Sequence, residues 1–191
     1  LSSEVYLFDH GNNSKHLQDG CEYIDLAAYL GTPYIRVMGD AKPQPLDEID
    51  IDLVADNLAL LADYAADKNV IVLLETNGVF SDSALAAEII GFINNPHVGI
   101  LWDVHHPYRY CLEEPQITYK NIKKHLRYVH MKDSVMENGK TVYKMMGDGD
   151  IPNRQVLKIL QEDDFPGYIS LEWVKRYEKD LDEPDIVFPQ F

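Results

Sequence analysis

The feature that most constrains this chain is an alternation of short apolar runs with longer amphipathic stretches. Six runs rich in β-branched and aromatic residues are predicted as strands, the first of them weaker than the rest: 4–9, 33–38, 70–75, 98–103, 127–132 and 168–173. Near-continuous apolar runs of this length are typical of parallel strands covered on both faces. The stretches between them, such as 51–65, repeat apolar residues at helical spacing. A strand followed by a helix, repeated along the chain, predicts an α/β fold with a parallel sheet.

Length and composition exclude several classes of protein. With 191 residues, 46% hydrophobic and 26% charged, the chain is predicted to form a single globular domain over residues 1–191. A net charge of -15 argues against a nucleic-acid partner, because such binding releases counterions from basic surfaces. No apolar run approaches the roughly 20 residues that a membrane span needs. With no signal peptide and two cysteines, the expected location is the cytoplasm.

Two parallel architectures remain, and the strand ends separate them. A doubly wound sheet usually binds its ligand through a glycine-rich first turn. The nearest match, around Gly147 and Gly149, lacks a third glycine and has Pro152 where a closely packed helix would begin. A (β/α)8 barrel instead places its chemistry at the carboxyl ends of many strands. Since the polar residues of this chain fall at those ends, the barrel is the favoured prediction.

Four of the predicted strands end on a side chain that can bind a metal ion, namely Glu75, Asp103, His130 and Glu172. A single glutamate at a strand end is usually a solvated rim residue. The recurrence of such residues at the same place in four βα units favours one shared site. One imidazole with three carboxylates suits Mn²⁺, Mg²⁺ or Co²⁺, and a divalent cation would relieve the repulsion between the carboxylates.

Several motifs carry a resemblance to a known family: 23–37 (YIDLAAYLGTPYIRV), 74–77 (LETN), 102–107 (WDVHHP), 129–133 (VHMKD), 147–152 (GDGDIP) and 169–173 (ISLEW). Together they resemble the sugar phosphate isomerase/epimerase family, whose fold is the xylose isomerase-like TIM barrel. The resemblance runs from about residue 1 to the C-terminus. It implies an enzyme of carbohydrate metabolism that holds a single divalent metal ion, Mn²⁺, Mg²⁺, Co²⁺ or Zn²⁺, through Glu75, Asp103, His130 and Glu172.

The resemblance also implies roles around the metal ion. In the ketose 3-epimerase branch, the carboxylates that match Glu75 and Glu172 act as an acid/base pair on opposite faces of the sugar. His106 and Lys132 are expected to face the substrate and donate to its oxygens. Arg36 could hold a substrate phosphate or carboxylate by a bidentate contact, unless its side chain points to the outer helix layer.

One departure from the family pattern concerns strand number. A closed barrel has eight strands, whereas the sequence indicates five firm strands and one partial strand. We therefore expect a barrel that lacks about two βα units before residue 1, with no closed ring formed by this chain. An open sheet edge would be exposed unless another chain covered it, which makes a homo-oligomer possible.

The sequence thus predicts a metal-dependent isomerase or epimerase that acts on a sugar or sugar phosphate by proton transfer next to a carbonyl. Three alternatives stay open. A dehydratase would use the same proton abstraction and then expel a hydroxyl group. An endonuclease IV-like DNA repair enzyme shares the barrel, but it needs additional histidines and suits the negative charge poorly. A non-catalytic sugar-binding protein would keep the fold and bind no metal ion.

Overall fold

The computed structural model describes residues 1–45 and 48–191, and these residues contain one six-stranded parallel sheet and one hairpin. The strands in chain order are β1 Ser2–Tyr6, β2 Tyr34–Met38, β3 Ile71–Glu75, β4 Val98–Asp103, β5 Leu126–Met131, β6 Asp133–Glu137, β7 Lys140–Lys144 and β8 Tyr168–Leu171. The sheet order is β1-β2-β3-β4-β5-β8, and every neighbouring pair is parallel. This order never reverses, as it would in a doubly wound sheet. The six predicted parallel strands are confirmed, and no pairing joins β1 to β8 within the described part of the chain.

Helices connect the parallel strands and pack against one side of the sheet, except for the last helix, which follows β8. They are α1 Asn13–Leu30, α2 Ile51–Ala65, α3 Ser83–Ile93, α4 His105–Cys111, α5 Pro115–Ile122, α6 Asn153–Glu162 and α7 Pro184–Val187. The α2 helix begins where the Asp50 side chain accepts a hydrogen bond from the Leu53 amide, and α1 ends at Gly31 in the left-handed conformation (φ 68°). Across the described residues, none of these helices combines the length and the apolar character that crossing a bilayer requires.

The two faces of the sheet differ in chemistry because side chains alternate along each strand. Residues such as Ile35, Val37, Ile100 and Val129 belong to one apolar core with the helices. The intervening positions lie on the opposite, inner face. That face carries Arg36, Glu75, Asp103 and other polar residues toward the carboxyl ends of the strands, so the packing of the helices leaves the inner face free for chemistry.

The antiparallel hairpin of β6 and β7 follows β5 and was not predicted. Its turn is Asn138-Gly139, and both residues have positive φ, 52° and 75°. Such a turn matches the twist of an antiparallel pair. The hairpin leads from the end of β5 to the loop before α6.

A buried carboxylate fixes the base of this hairpin. Asp133, 2% exposed, accepts hydrogen bonds from the amides of Ser134 (2.9 Å), Gly147 (2.9 Å) and Ile151 (3.2 Å). A Cβ at Gly149 would lie 2.0 Å from Asp133 Oδ1, so only glycine fits there. The glycine-rich motif at 147–152 therefore wraps around the carboxylate of the 129–133 motif.

Candidate metal centre

The four predicted ligands lie together at the carboxyl edge of the sheet. Glu75 ends β3, Asp103 ends β4, His130 precedes the last residue of β5, and Glu172 directly follows β8. The register explains their proximity, because Asp103 is paired with His130 and His130 with Ser170, two residues before Glu172. One ligand atom from each of the four residues lies within 4.8 Å of the others. Glu75 and Asp103 are fully buried, whereas the Glu172 side chain is 28% exposed and opens the group to solvent.

The orientation of His130 tests whether a metal ion fits. Its Nδ1 lies 3.4 Å from Glu75 Oε1 and 3.6 Å from Glu172 Oε1, yet this buried nitrogen makes no hydrogen bond. A buried nitrogen without a partner normally carries a free-energy penalty. An imidazole nitrogen that faces two carboxylate oxygens in this way forms a suitable donor set for a divalent cation. These residues therefore fit the predicted metal ion.

The charges of the side chains around these four residues also suit a divalent cation. Three carboxylates, from Glu75, Asp103 and Glu172, face two permanent cations, Arg36 and Lys132. Burial acts to raise the pKa of Glu75, as does Glu172, but His130 and Arg36 outweigh both and lower it to about 2. Burial raises the pKa of Asp103 to about 8 against the opposing effect of Lys132. Three carboxylates against two cations leave one negative charge, which a proton on Asp103 neutralises below about pH 8 and which a divalent cation could neutralise in its place.

Lys132 lies inside this acidic group. Its ammonium contacts Asp103 Oδ2 and Glu172 Oε2, and its side chain is 3% exposed. Burial opposes the charged form, but the three neighbouring carboxylates dominate and raise the pKa of Lys132. Lys132 is thus brought to the predicted site as a cation beside two of the ligands. A contact with substrate oxygens stays a prediction.

Arg36 also faces the site and not the outer helix layer. Its Nη1 donates to Glu75 Oε2 at 2.6 Å and its Nη2 donates to the Ser3 carbonyl at 3.0 Å. The guanidinium is therefore engaged by Glu75, the ligand on the neighbouring strand. Its predicted contact with a substrate anion stays a prediction.

His106 is held as a neutral acceptor. Its Nδ1 donates to the Thr76 carbonyl at 3.0 Å, and its Nε2 lies 3.7 Å from Asp103 Oδ2. Burial, assisted by the nearby charge of Lys132, lowers the pKa of His106 to about 3. A neutral imidazole carries one proton, and the carbonyl contact places that proton on Nδ1. With its proton on Nδ1, His106 has Nε2 available as a hydrogen-bond acceptor, and its contact with substrate oxygens stays a prediction.

Two further residues support the site and were missed from the sequence. Thr76 Oγ1 accepts from the Asp103 amide at 2.9 Å and donates to the Asp103 carbonyl at 3.1 Å, which ties the ends of β3 and β4 together. His105 is fully buried, and its Nε2 lies 2.9 Å from Ser134 Oγ at the base of the hairpin. Thr76 and His105 lie inside motifs noted in the sequence. Their contacts, with the backbone of Asp103 and with the hairpin, cannot be predicted from residue type alone.

Comparisons with known proteins agree with this architecture. The family model described as xylose isomerase-like TIM barrel matches residues 8–187. No curated protein matches the chain. A xylose isomerase-like TIM barrel protein from Mycobacterium smegmatis, solved with magnesium, is 19% identical over 90% of this chain and 64% of its own length, with a TM-score of 0.73.

Two enzymes of different activity also superimpose on the chain. A 3-keto-D-glucoside 4-epimerase from E. coli is 21% identical over 88% of this chain and 68% of its own, with a TM-score of 0.71. A probable 3-DHS dehydratase from Bacillus anthracis is 18% identical over 94% of this chain and 71% of its own, with a TM-score of 0.74. At these identities the likeness shows the fold, and the chain spans about two thirds of each of these proteins.

Proposed function

The chain belongs to the xylose isomerase-like TIM barrel family, and on that premise we propose that it is a metal-dependent isomerase or epimerase of a sugar or sugar phosphate. The observation that carries the proposal is the set of Glu75, Asp103, His130 and Glu172, three of them buried, whose ligand atoms lie within 4.8 Å of one another. The magnesium-containing relative and the epimerase relative support a metal ion and a sugar substrate, respectively.

These four residues would hold one divalent cation, which would supply Lewis-acid polarisation of a substrate carbonyl. Glu75 and Glu172 are the proposed proton carriers. Each carboxylate has about four lone-pair sites, so a metal contact at one oxygen and a hydrogen bond from Arg36 or Lys132 at the other still leave a site that can take a proton. The two residues belong to β3 and to the end of β8, with β4 and β5 between them in the sheet. They can therefore approach a bound sugar from different sides.

The remaining polar residues orient the substrate. The neutral His106 would accept a hydrogen bond from a substrate hydroxyl at Nε2, since its only proton is donated to Thr76. Lys132 would donate to the oxygen next to the reacting carbon, where negative charge develops. Both side chains are almost fully buried, so they contribute with little reorganisation during the reaction.

The test is a substrate screen with the intact protein in D₂O. Ketoses, sugar phosphates and inososes would be incubated with and without Mn²⁺, and products analysed by NMR and mass spectrometry. We expect Mn²⁺-dependent conversion of one substrate with deuterium incorporated at a carbon beside the carbonyl. Glu75→Gln and Glu172→Gln should each slow conversion by about 10²–10⁴-fold. The matched control is Glu88→Gln, an exposed glutamate on α3.

Other outcomes would lead to a different function. Conversion without solvent deuterium would indicate a hydride shift and reject the proton-transfer mechanism. A product that has lost water would identify a dehydratase. An intact protein that binds a sugar but neither Mn²⁺ nor another divalent cation would be a sugar-binding protein and not an enzyme of this type.

A further inference from the structure

Arg36 joins three neighbouring strands on the inner face of the sheet. It lies on β2, donates to Glu75 on β3, and donates to the Ser3 carbonyl on β1. Its side chain is 16% exposed and that of Glu75 is 1% exposed, so this ion pair is shielded from solvent. Because both ends of the guanidinium are occupied, its position relative to Glu75 is fixed by the strands themselves.

This contact makes the two oxygens of Glu75 unequal. Oε2 lies 2.6 Å from Arg36 Nη1, whereas Oε1 lies 3.4 Å from His130 Nδ1. The oxygen that faces the other proposed ligands is therefore the one that Arg36 leaves unoccupied. If the carboxylate turned away, Arg36 Nη1 would lose a short charge-assisted hydrogen bond and keep only a weak contact with Met38 Sδ at 3.1 Å.

We propose that Arg36 is a positioning residue that holds Glu75 by Oε2 and so presents Oε1 to the divalent cation. This inference rests on the proposed metal centre and adds a residue that acts through a ligand. It gives Arg36 a role at the metal ion that does not require the guanidinium to touch substrate.

Charge and geometry predict opposite effects of removing Arg36. A guanidinium close to a cation repels it, so by charge alone the loss of Arg36 would tighten metal binding. If Arg36 instead orients Glu75, its loss allows the carboxylate to turn away and weakens metal binding. Hydrogen-bonding partners of metal ligands typically contribute 10- to 100-fold to metal affinity. The sign of the change in affinity therefore separates the two roles.

The experiment measures Mn²⁺ affinity by isothermal titration calorimetry, and free Mn²⁺ by electron paramagnetic resonance, in the intact protein. Arg36→Met, which removes the charge and the donors, should raise the Kd about 10- to 100-fold. Arg36→Lys should give an intermediate Kd, because lysine keeps the charge but lacks the planar fork that reaches Glu75 and Ser3 together. The matched control is Arg154→Met, an exposed arginine on α6, with an unchanged Kd.

A Kd for Arg36→Met that equals or falls below that of the native protein would overturn the inference. If that variant does not fold, Arg36→Lys decides: a native Kd refutes the positioning role and a raised Kd supports it. Failure of the native protein to bind any divalent cation would instead reject the proposed metal centre, on which the inference rests. Because the Kd for Mn²⁺ is measured without substrate, a wrong choice of substrate does not affect the result.

Discussion

Replacing Asp133 by alanine is expected to destabilise the protein, because this buried carboxylate organises the segment from the hairpin to α6. The side chain accepts amide hydrogen bonds from Ser134, Gly147 and Ile151. A hydrogen bond to a charged group contributes about 1.5–3 kcal/mol, and the two long-range bonds together would contribute about 3–6 kcal/mol. The cost of burying the carboxylate and access of water to Gly147 reduce that sum. We therefore expect the free energy of unfolding to fall by about 3 kcal/mol.

The assay is urea unfolding followed by circular dichroism, with thermal unfolding alongside. In a chain of this size, 3 kcal/mol corresponds to a decrease in Tm of about 6–12 °C. Asp133→Asn keeps one acceptor oxygen and should lose about 1–2 kcal/mol. Asp148→Ala, an exposed carboxylate in the same loop, is the control and should stay within about 0.5 kcal/mol of the native protein. If the free energy of unfolding of Asp133→Ala stayed within about 0.5 kcal/mol of the native value, the carboxylate would not organise this segment as proposed.

Three further predictions concern the site and its surroundings. Mn²⁺ at 100 times its Kd should stabilise the native protein by about 2.7 kcal/mol, which corresponds to a rise in Tm of about 5–10 °C. His130→Ala should abolish most of this rise. An equal rise in both proteins would contradict the assignment of His130 as a ligand. Gly149→Ala should lower Tm because the added Cβ would meet Asp133 Oδ1 at 2.0 Å, and a native Tm would show that the loop accommodates it. The pKa of His106 is lowered to about 3 by burial, so the unfolded chain binds the extra proton below pH 6.5 and stability falls as the pH drops from 6.5 toward 3. In urea unfolding without divalent cations, the stability lost between pH 6.5 and 5 should be smaller by up to about 2 kcal/mol in His106→Gln than in the native protein. Identical pH profiles would exclude this contribution.

The parallel sheet could be predicted because it depends on local pattern. Continuous apolar runs identified all six parallel strands, although the first lies at Ser2–Tyr6 and not at 4–9. The hairpin was missed even though its turn, Asn138-Gly139, is a strong local signal between Val135 and Val142. Its strands are largely polar, so they lack the continuous apolar character that marked the others.

The side-chain pairing within the site could not be predicted in the same way. The proximity of Glu75, Asp103, His130 and Glu172 follows from the rule that parallel strand ends share one edge of a sheet. The partner of each charge depends instead on register and rotamer across distant parts of the chain. Arg36 falls within the predicted strand 33–38, but its pairing with Glu75 requires knowing that β2 and β3 are neighbours and that both side chains lie on the inner face.

The spread of the four proposed ligands along the chain has a kinetic consequence. Glu75 is contributed by the third strand and Glu172 by the last, so the complete set exists only after β8 has docked against β5. Contacts between such distant residues form late, because each requires closure of a long loop. A cation at this centre would therefore bind the fully docked sheet and not its partly folded precursors. Once bound, it would act against detachment of β8, and amide hydrogen exchange in that strand should slow as the metal ion concentration rises.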